Sequence, residues 1–119
     1  ELLFAVATGT VESHNPHFTD AHAMTVVLAS EGYPGPPKKG LPILVETAMI
    51  AHEDGGAFIH HAGTKYERGQ ILVSSGGRVL ACTGIGTSLE DARNFAYSLM
   101  DGIILEGSHY RSDIGFRAL

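Results

Sequence analysis

Ile71-Leu-Val-Ser-Ser-Gly-Gly-Arg-Val-Leu80 is the stretch from which the fold is best predicted. Two β-prone runs, Ile71–Ser75 and Arg78–Thr83, flank the pair Gly76-Gly77. Glycine accepts the positive φ angles of a two-residue hairpin turn without steric cost. The pattern therefore predicts an antiparallel hairpin that closes at the two glycines.

Arg78 follows this predicted turn directly. A guanidinium carries five donors in a fixed arrangement, and a glycine backbone lets a phosphate or carboxylate approach closely. Two interpretations are open at this point. Arg78 is either a cation that binds an anionic ligand beside the turn or a solvated residue at a strand end.

The composition predicts one compact domain that needs neither disulfides nor metal to fold. The chain has 119 residues, of which 44% are hydrophobic, and a net charge of −5. Lys38-Lys39 is its only cluster of basic residues, so the electrostatic pattern of a nucleic-acid binder is missing. The single cysteine, Cys82, lies in an apolar run, which excludes a disulfide framework and favours a small core residue in a reducing, cytoplasmic protein. No apolar run reaches the roughly 20 residues that span a bilayer.

Residues 1–9 have the pattern of the last turns of a helix. Glu1–Gly9 is apolar, closes with a glycine suited to a helix C-cap, and starts without methionine. We expect a fragment of a longer protein, and removal of an initiator methionine is the open alternative.

The first half of the chain predicts one strand and one long loop. Ala23–Ser30 is apolar at successive positions, which is typical of a central strand covered on both faces. Glu31–Gly40 holds three prolines and three glycines and predicts a rigid extended loop, in which Tyr33 serves as a packing anchor or as a ring that faces a ligand. Glu46–His52 fits a short helix, between Pro42 and Gly55-Gly56.

The second half predicts a meander of strands followed by a helix. Ala57–His61 is strand-like, and Thr64–Tyr66 forms a hairpin that leads into Gln70–Ser75. Thr87-Ser-Leu-Glu90 matches a capping box, with Thr87 as the N-cap. The residues that follow on one helical face are apolar: Leu89, Ala92, Ala96, Leu99, Met100 and Ile103. The predicted fold class is therefore α+β, with an antiparallel sheet of hairpins and meander covered by a C-terminal amphipathic helix.

Motifs for catalysis and metal binding are missing. His60 and His61 are adjacent on a predicted strand and point to opposite faces, and His14 and His17 share a flexible loop. The sequence has no nucleophile elbow, phosphate-loop lysine motif or dinucleotide fingerprint. We therefore predict no catalytic residue, cofactor-binding residue or metal ligand in this chain, which has the character of part of an enzyme.

Four motifs in order along the chain resemble those of a known family. They are Ala29-Ser-Glu-Gly-Tyr-Pro-Gly35, His61-Ala-Gly-Thr64, Ser75-Gly-Gly-Arg-Val-Leu80 and Tyr110-Arg-Ser-Asp-Ile-Gly-Phe-Arg-Ala118. Together they resemble the C-terminal domain of phosphoribosylamine–glycine ligases, also called glycinamide ribonucleotide synthetases. The chain departs from the family pattern at Glu31, Pro37 and Gly84 and in residues 41–56.

The resemblance implies part of an ATP-grasp ligase of purine biosynthesis, which joins glycine to 5-phosphoribosylamine. In that family ATP and magnesium or manganese are bound by a preceding domain, whose motifs are missing here. Residues 1–10 would be the end of the helix that leaves that domain. Residues 11–119 would be the C-terminal domain, of the rudimentary hybrid-motif type, which closes over the substrates beside the other domains of the ligase.

The resemblance also favours the first interpretation of Arg78. Arg78, Gly76 and Gly77 are predicted to bind substrate, at the ribose phosphate or along the cleft, and Arg111 and Asp113 are second candidates. An Arg/Asp pair at that spacing also serves to pin a chain terminus, and Lys65 is a weaker candidate. Two other functions are open: a free-standing module that binds a phosphorylated metabolite, and an oligomerisation module without catalysis.

Overall fold

Eight β-strands and two α-helices form the fold, which a computed structural model describes for all residues, Glu1–Leu119. In chain order they are α1 (Leu2–Thr8), β1 (His22–Ala29), β2 (Leu44–Val45), β3 (Met49–His52), β4 (Gly55–His61), β5 (Thr64–Glu67), β6 (Ile71–Ser74), β7 (Arg78–Gly86), α2 (Leu89–Asp101) and β8 (Ile103–Ile104). Two short 3₁₀ helices, Val11–Ser13 and Phe116–Ala118, lie near the ends. The antiparallel sheet with a helix packed on it confirms the predicted α+β class.

The main sheet has four antiparallel strands in the order β1-β7-β4-β3, with α2 on one face. The helix lies so close to the central strand that a Cβ on Gly84 would collide with the carbonyl of Ala92. The core forms between this face and the helix, and it includes Val26, Leu28, Leu80, Cys82, Ala96, Leu99 and Met100. Cys82 is thus the buried core residue that the sequence predicted.

The predicted hairpin at Gly76-Gly77 is wrong. β6 pairs only with β5, in a separate two-stranded sheet, whereas β7 pairs with β1 and β4. Neither glycine has a positive φ. Six of the nine residues of β7 are buried, as expected for a strand with partners on both edges in the centre of the main sheet. Residues 75–77 therefore cross from one sheet to the other instead of turning back.

Two further strand predictions need correction. β1 is an edge strand, not a central one, and its even-numbered residues Met24, Val26 and Leu28 are buried while Val27 is exposed. The predicted helix over Glu46–His52 does not form, since Met49–His52 is the strand β3, which pairs with β4. In both cases the pairing partner, which local composition does not report, decided the structure.

The strands of the second half are largely as predicted, but they do not form one continuous meander. β4 contains the predicted Ala57–His61, and the hairpin of β5 and β6 is confirmed. That hairpin leaves the main sheet, so β4 pairs directly with β7.

Helix α2 begins one residue later than predicted. The Oγ of Ser88, not of Thr87, accepts the capping hydrogen bond, from the N–H of Asp91 over 3.1 Å. The hydroxyls of Ser88 and Thr87 donate to the Asp91 carboxylate over 2.6 and 3.0 Å, and these bonds lower the pKa of Asp91 below its ordinary value. The predicted apolar face is buried at Ala92, Ala96, Leu99 and Met100. Ile103 lies beyond the helix, in β8.

The predicted end of α1 is confirmed. Gly9 caps the helix in the left-handed conformation, with φ of 72°, and its N–H bonds to the carbonyl of Val6 over 3.3 Å. None of the helices has the length and apolar character needed to cross a membrane.

Candidate functional site

A β-bulge directs Arg78 away from the core. Leu28 pairs with Leu80, yet the next residue of β1, Ala29, pairs with Arg78, so Val79 is an extra residue on β7. Because side chains alternate along a strand, the bulge places Arg78 on the sheet face opposite α2. Without the bulge, Arg78 would share the helix-covered face with Leu80.

We call the sheet side opposite α2 the open face. Register and alternation assign to it Thr25, Val27, Phe58, His60, Ala81 and Thr83. The hydroxyls of Thr25 and Thr83 lie 2.8 Å apart, and the rings of Phe58 and His60 meet edge to face with centroids 4.9 Å apart. Val27 remains exposed. The open face thus combines apolar side chains with two threonines and a histidine, and Arg78 lies at one end of it.

The backbone before and after Arg78 is firmly held. Each of the four successive carbonyls from residue 76 to residue 79 accepts a hydrogen bond of 2.8–3.0 Å. The four donors, in the order of the carbonyls, are Ser30 Oγ, the Ser30 N–H, the Gly63 N–H and the Ala62 N–H. The backbone at Arg78 is therefore held by Ser30 on one side and by Ala62 and Gly63 on the other.

The guanidinium of Arg78 is free by comparison. It is exposed and forms neither a side-chain hydrogen bond nor an ion pair within the chain. Arg111 differs, because its Nε and its terminal nitrogen donate to the two carboxylate oxygens of Asp113 over 2.8 and 2.6 Å. These hydrogen bonds lower the pKa of Asp113 and raise that of Arg111. Of the two arginines, Arg78 is the one whose donors are all available to a ligand.

Arg78 and Arg111 line one concavity of about 190 Å³. Its other lining residues are Val27, Ala29, Tyr33, His109 and Tyr110. A neighbouring concavity of about 430 Å³ is shared by Arg78, Tyr33 and Gly77. The fold thus brings Arg78 close to Gly77 and to Arg111, while their role in substrate binding stays a prediction.

Other predicted site residues lie differently. Gly76 faces Gly63: a Cβ built on Gly76 would lie 3.3 Å from the Cα of Gly63. Gly76 lines neither of the two concavities around Arg78. Asp113 lines a separate concavity of about 410 Å³ within the tail residues 111–118. Lys65 pairs with Glu67 over 2.8 Å on the β5–β6 hairpin.

Helix α2 holds the tail that carries Arg111. The hydroxyl of Tyr97 donates to the carbonyl of Arg111 over 2.6 Å and accepts from the N–H of Ile114 over 3.2 Å. Arg93 donates to the carbonyls of Ser112 and Ile114 over 2.9 and 3.2 Å. The tail is thus pinned by Tyr97 and Arg93, whereas the Arg111–Asp113 pair is internal to it.

Tyr33 and Ser30 were not predicted as site residues. The sequence is compatible with Tyr33 as an anchor or as a ligand-facing ring, and in the structure its ring packs against Gly77 and also lines both concavities. Its place in a Pro- and Gly-rich loop was the only signal in the sequence. Nothing near Ser30 in sequence indicates its contacts with residues 76 and 77, since they join segments far apart in the chain.

The histidines do not converge on a common centre. His61 Nδ1 lies 3.0 Å from Thr64 Oγ1, while His60 contacts Phe58 on the open face. Groups of three or more His, Cys, Asp or Glu side chains with metal-binding geometry are not found in the chain. The arrangement supports the binding of an anion by Arg78, whose donors have no partner in the chain, at the end of the open face.

The geometry defines an α+β domain that carries an exposed, unpaired arginine at the end of one sheet face. The chain belongs to the family described as phosphoribosylglycinamide synthetase, C domain, whose profile matches residues 23–117. This confirms the resemblance found in the sequence.

Named relatives and a solved structure agree with this family. The phosphoribosylamine–glycine ligase of Streptomyces coelicolor is 43% identical over 118 residues, which are 98% of this chain and 28% of that protein. The ligase of the same name from Rhizobium meliloti is 41% identical over 118 residues, 99% of this chain and 27% of that protein. The crystal structure of the Thermotoga maritima phosphoribosylamine–glycine ligase has a TM-score of 0.72 at 38% identity, covering 93% of this chain and 26% of that one. The chain therefore spans about a quarter of the length of these relatives.

Proposed function

We propose that this chain acts as the C-terminal domain of an ATP-dependent ligase of de novo purine biosynthesis. The ligase joins glycine to 5-phosphoribosylamine and yields glycinamide ribonucleotide, ADP and phosphate. Support comes from the family match and from relatives that carry the name of this ligase over nearly the whole chain.

The domain contributes binding surface, and the bond-making groups lie in the rest of the ligase. ATP and magnesium or manganese are held there, in an ATP-grasp domain, to which residues 1–10 connect. The apolar side chains of α1 support this connection, since Leu3, Phe4 and Val6 are 84%, 74% and 60% exposed and would be covered by a neighbouring domain. Residues 11–119 are then the C-terminal domain proper.

Arg78 is the residue that carries the proposal for substrate binding. Its guanidinium has no partner in the chain, its backbone is held by neighbours on both sides, and it shares a concavity with Arg111. A phosphate monoester offers several oxygen acceptors to such a pair of arginines, and charge-assisted hydrogen bonds are the stronger kind. We assign the ribose phosphate of 5-phosphoribosylamine to Arg78, with Gly77 and Tyr33 beside it and Arg111 at the far side.

The open face has a second task in this proposal, the exclusion of water. Phosphoryl transfer from ATP to the glycine carboxylate would give an acyl phosphate and ADP. Water would hydrolyse this acyl phosphate, so it needs cover until the amine attacks and phosphate leaves. The open face, with Val27, Phe58 and Ala81 among its side chains, is a suitable wall for such a cleft. Arg78 at its end would orient the phosphoribosyl group toward the partner domain that carries out the reaction.

Domain replacement tests this function. In the Streptomyces coelicolor ligase, the 118 matched residues are exchanged for this chain, and ADP formation is measured with glycine and phosphoribosylamine. We expect the replaced ligase to be active, and the same ligase without its C-terminal domain to be inactive. A replaced ligase that folds cooperatively but forms no ADP would contradict the proposal.

The alternative of a free-standing module has its own measurement. Isothermal titration of the 119-residue chain with ribose 5-phosphate would show binding in the absence of any other domain. Light scattering of the same sample would show self-association, which an oligomerisation module requires. We expect a monomer without measurable binding of ribose 5-phosphate, because Arg78 supplies only one side of the proposed cleft.

A further inference from the structure

Two consecutive glycines precede Arg78, and this position poses a problem for a binding residue. Gly76 and Gly77 lack the Cβ that restricts other residues, so by themselves they allow a wide range of backbone conformations. A guanidinium that follows such a pair is placed accurately only if other groups hold the glycines. The structure shows which groups do so.

Ser30, at the end of β1, holds both glycines. Its hydroxyl donates to the carbonyl of Gly76 over 2.9 Å, and its N–H donates to the carbonyl of Gly77 over 2.8 Å. Ser30 is only 1% exposed, so water does not compete for these bonds. One residue thus fixes two successive peptide groups immediately before Arg78.

The turn that begins at Ser30 also brings Tyr33 onto Gly77. The N–H of Tyr33 donates to the carbonyl of Ser30 over 3.1 Å. A Cβ on Gly77 would lie 2.6 Å from Cδ2 of Tyr33, so the ring rests directly on the glycine. Ser30 and Tyr33 therefore hold the glycine pair from the β1 side, with one hydrogen-bonding hydroxyl and one ring.

The opposite side is held by backbone groups only. The N–H groups of Gly63 and Ala62 donate to the carbonyls of Arg78 and Val79 over 2.9 and 3.0 Å. Most residue types would supply such donors, whereas the Ser30 hydroxyl is the only side chain that donates to the carbonyls of residues 76–79. The other donors are backbone N–H groups, which a substitution by alanine does not remove. Ser30→Ala, in contrast, removes one hydrogen bond to this segment, the one from the hydroxyl to the carbonyl of Gly76.

We propose that Ser30 is a positioning residue for substrate binding in the ligase. Its hydroxyl fixes Gly76-Gly77 so that Arg78 meets the phosphate of the phosphoribosyl substrate in one conformation. The inference rests on the proposed function and adds to it a residue that touches no ligand. Loss of the hydroxyl keeps the Arg78 side chain but lets its position vary. Substrate binding is therefore weakened more than catalysis.

The test uses the domain-replaced ligase and four variants: Ser30→Ala, Arg78→Ala, the double variant and Ser74→Ala. Ser74 is a matched control, because it is also fully buried and its hydroxyl accepts from the N–H of Leu41 over 3.2 Å without contacting residues 76–79. We expect Ser30→Ala to raise the KM for phosphoribosylamine about three- to tenfold with little change in kcat, the range for one neutral hydrogen bond. Ser74→Ala should lower the Tm but leave this KM unchanged.

The double variant separates positioning from independent binding. If Ser30 acts through Arg78, Ser30→Ala adds nothing to the KM of Arg78→Ala. An unchanged KM in Ser30→Ala, or effects of the two substitutions that multiply, would overturn the proposal while leaving the role of Arg78 intact. An unchanged KM in Arg78→Ala would instead remove the site of the proposed function, and Ser30 with it.

Gly77→Ala provides a second variant should Ser30→Ala fail to fold. The added methyl group would lie 2.6 Å from Cδ2 of Tyr33, so the ring or the backbone of residue 77 must shift, while the Ser30 hydroxyl is kept. The expected result is again a raised KM for phosphoribosylamine with kcat preserved. A folded Gly77→Ala ligase with an unaltered KM would overturn the positioning role.

Discussion

The hydroxyl of Tyr97, on helix α2, donates a hydrogen bond to the backbone carbonyl of Arg111 over 2.6 Å. The same oxygen accepts from the N–H of Ile114 over 3.2 Å, so one side chain fixes two points of the C-terminal tail. Because Arg111 lines the concavity of Arg78, the outer surface of the helix helps to shape the candidate site.

Tyr97→Phe should loosen this tail. The substitution removes both hydrogen bonds and keeps the ring, so we expect a loss of about 1–2 kcal/mol in the free energy of unfolding. Hydrogen exchange should accelerate at the amide of Ile114 and stay unchanged in β7. Exchange at Ile114 as slow as in the parent chain would show that Arg93 alone holds the tail.

Arg78→Ala should impair substrate binding without affecting stability. The side chain is exposed and unpaired in the chain, so thermal unfolding should be nearly unchanged. In the domain-replaced ligase we expect a roughly 10- to 100-fold higher KM for phosphoribosylamine, from the loss of charge-assisted hydrogen bonds. Arg68→Ala, which removes another exposed arginine outside both concavities, is the control and should leave the KM unaltered.

Ser88→Ala and Glu90→Ala distinguish the observed helix cap from the one expected in the sequence, because alanine removes the side chain that a capping box needs at position 90. Ser88 caps α2, so its loss should cost about 1 kcal/mol, whereas Glu90 makes no capping bond and its substitution should be nearly neutral. Chemical denaturation of the two variants measures this difference. A loss for Glu90→Ala with little effect of Ser88→Ala would favour the predicted capping box, in which Thr87 is the N-cap.

The cap also predicts a pH dependence. Hydrogen bonds from Ser88 and Thr87 lower the pKa of Asp91 in the folded chain below its unfolded value of 3.8. Their stabilisation is therefore present above pH 3.8 and disappears as the pH falls through the folded pKa. Ser88→Ala should raise the pKa of Asp91, which an NMR titration of its carboxyl carbon would report, and an unshifted pKa would contradict the assigned cause.

Cys82 should be chemically inert in the folded chain. Burial raises its pKa from 9.0 to about 11, so the thiol stays protonated and covered at pH 8. A thiol reagent such as Ellman's reagent should react only in denaturant. Since the folded pKa is the higher one, stability should decline as the pH rises from about 9 to 11, and rapid modification of the native chain at pH 8 would contradict this burial.

Features that depend on near neighbours along the chain were predictable from the sequence. The Gly9 cap, the hairpin of β5 and β6, and the buried face of α2 all follow from local residue patterns, and the structure confirms them. The family was predictable too, because its four motifs stand in order in the sequence. The binding roles of Arg78 and Arg111 and the boundary between residues 10 and 11 stay predictions.

Long-range pairing decided what the sequence alone could not. Ile71–Ser74 and Arg78–Gly86 look like the two arms of a hairpin, but β7 pairs with β1 and β4, whose residues are distant in the chain. The backbone of β7 could form its hydrogen bonds with β1, β4 or β6. The burial of the main sheet against α2 selects β1 and β4 as the partners.

The sequence by itself determined the composition of the candidate site: an arginine after two glycines and a second arginine in the tail. Only the tertiary structure decided where these residues point. The bulge at Val79 turns Arg78 to the open face, and Ser30 holds the glycines before it. The physical reason is that a side chain's direction depends on the register and hydrogen bonds of its strand, and the partners that set them lie elsewhere in the chain.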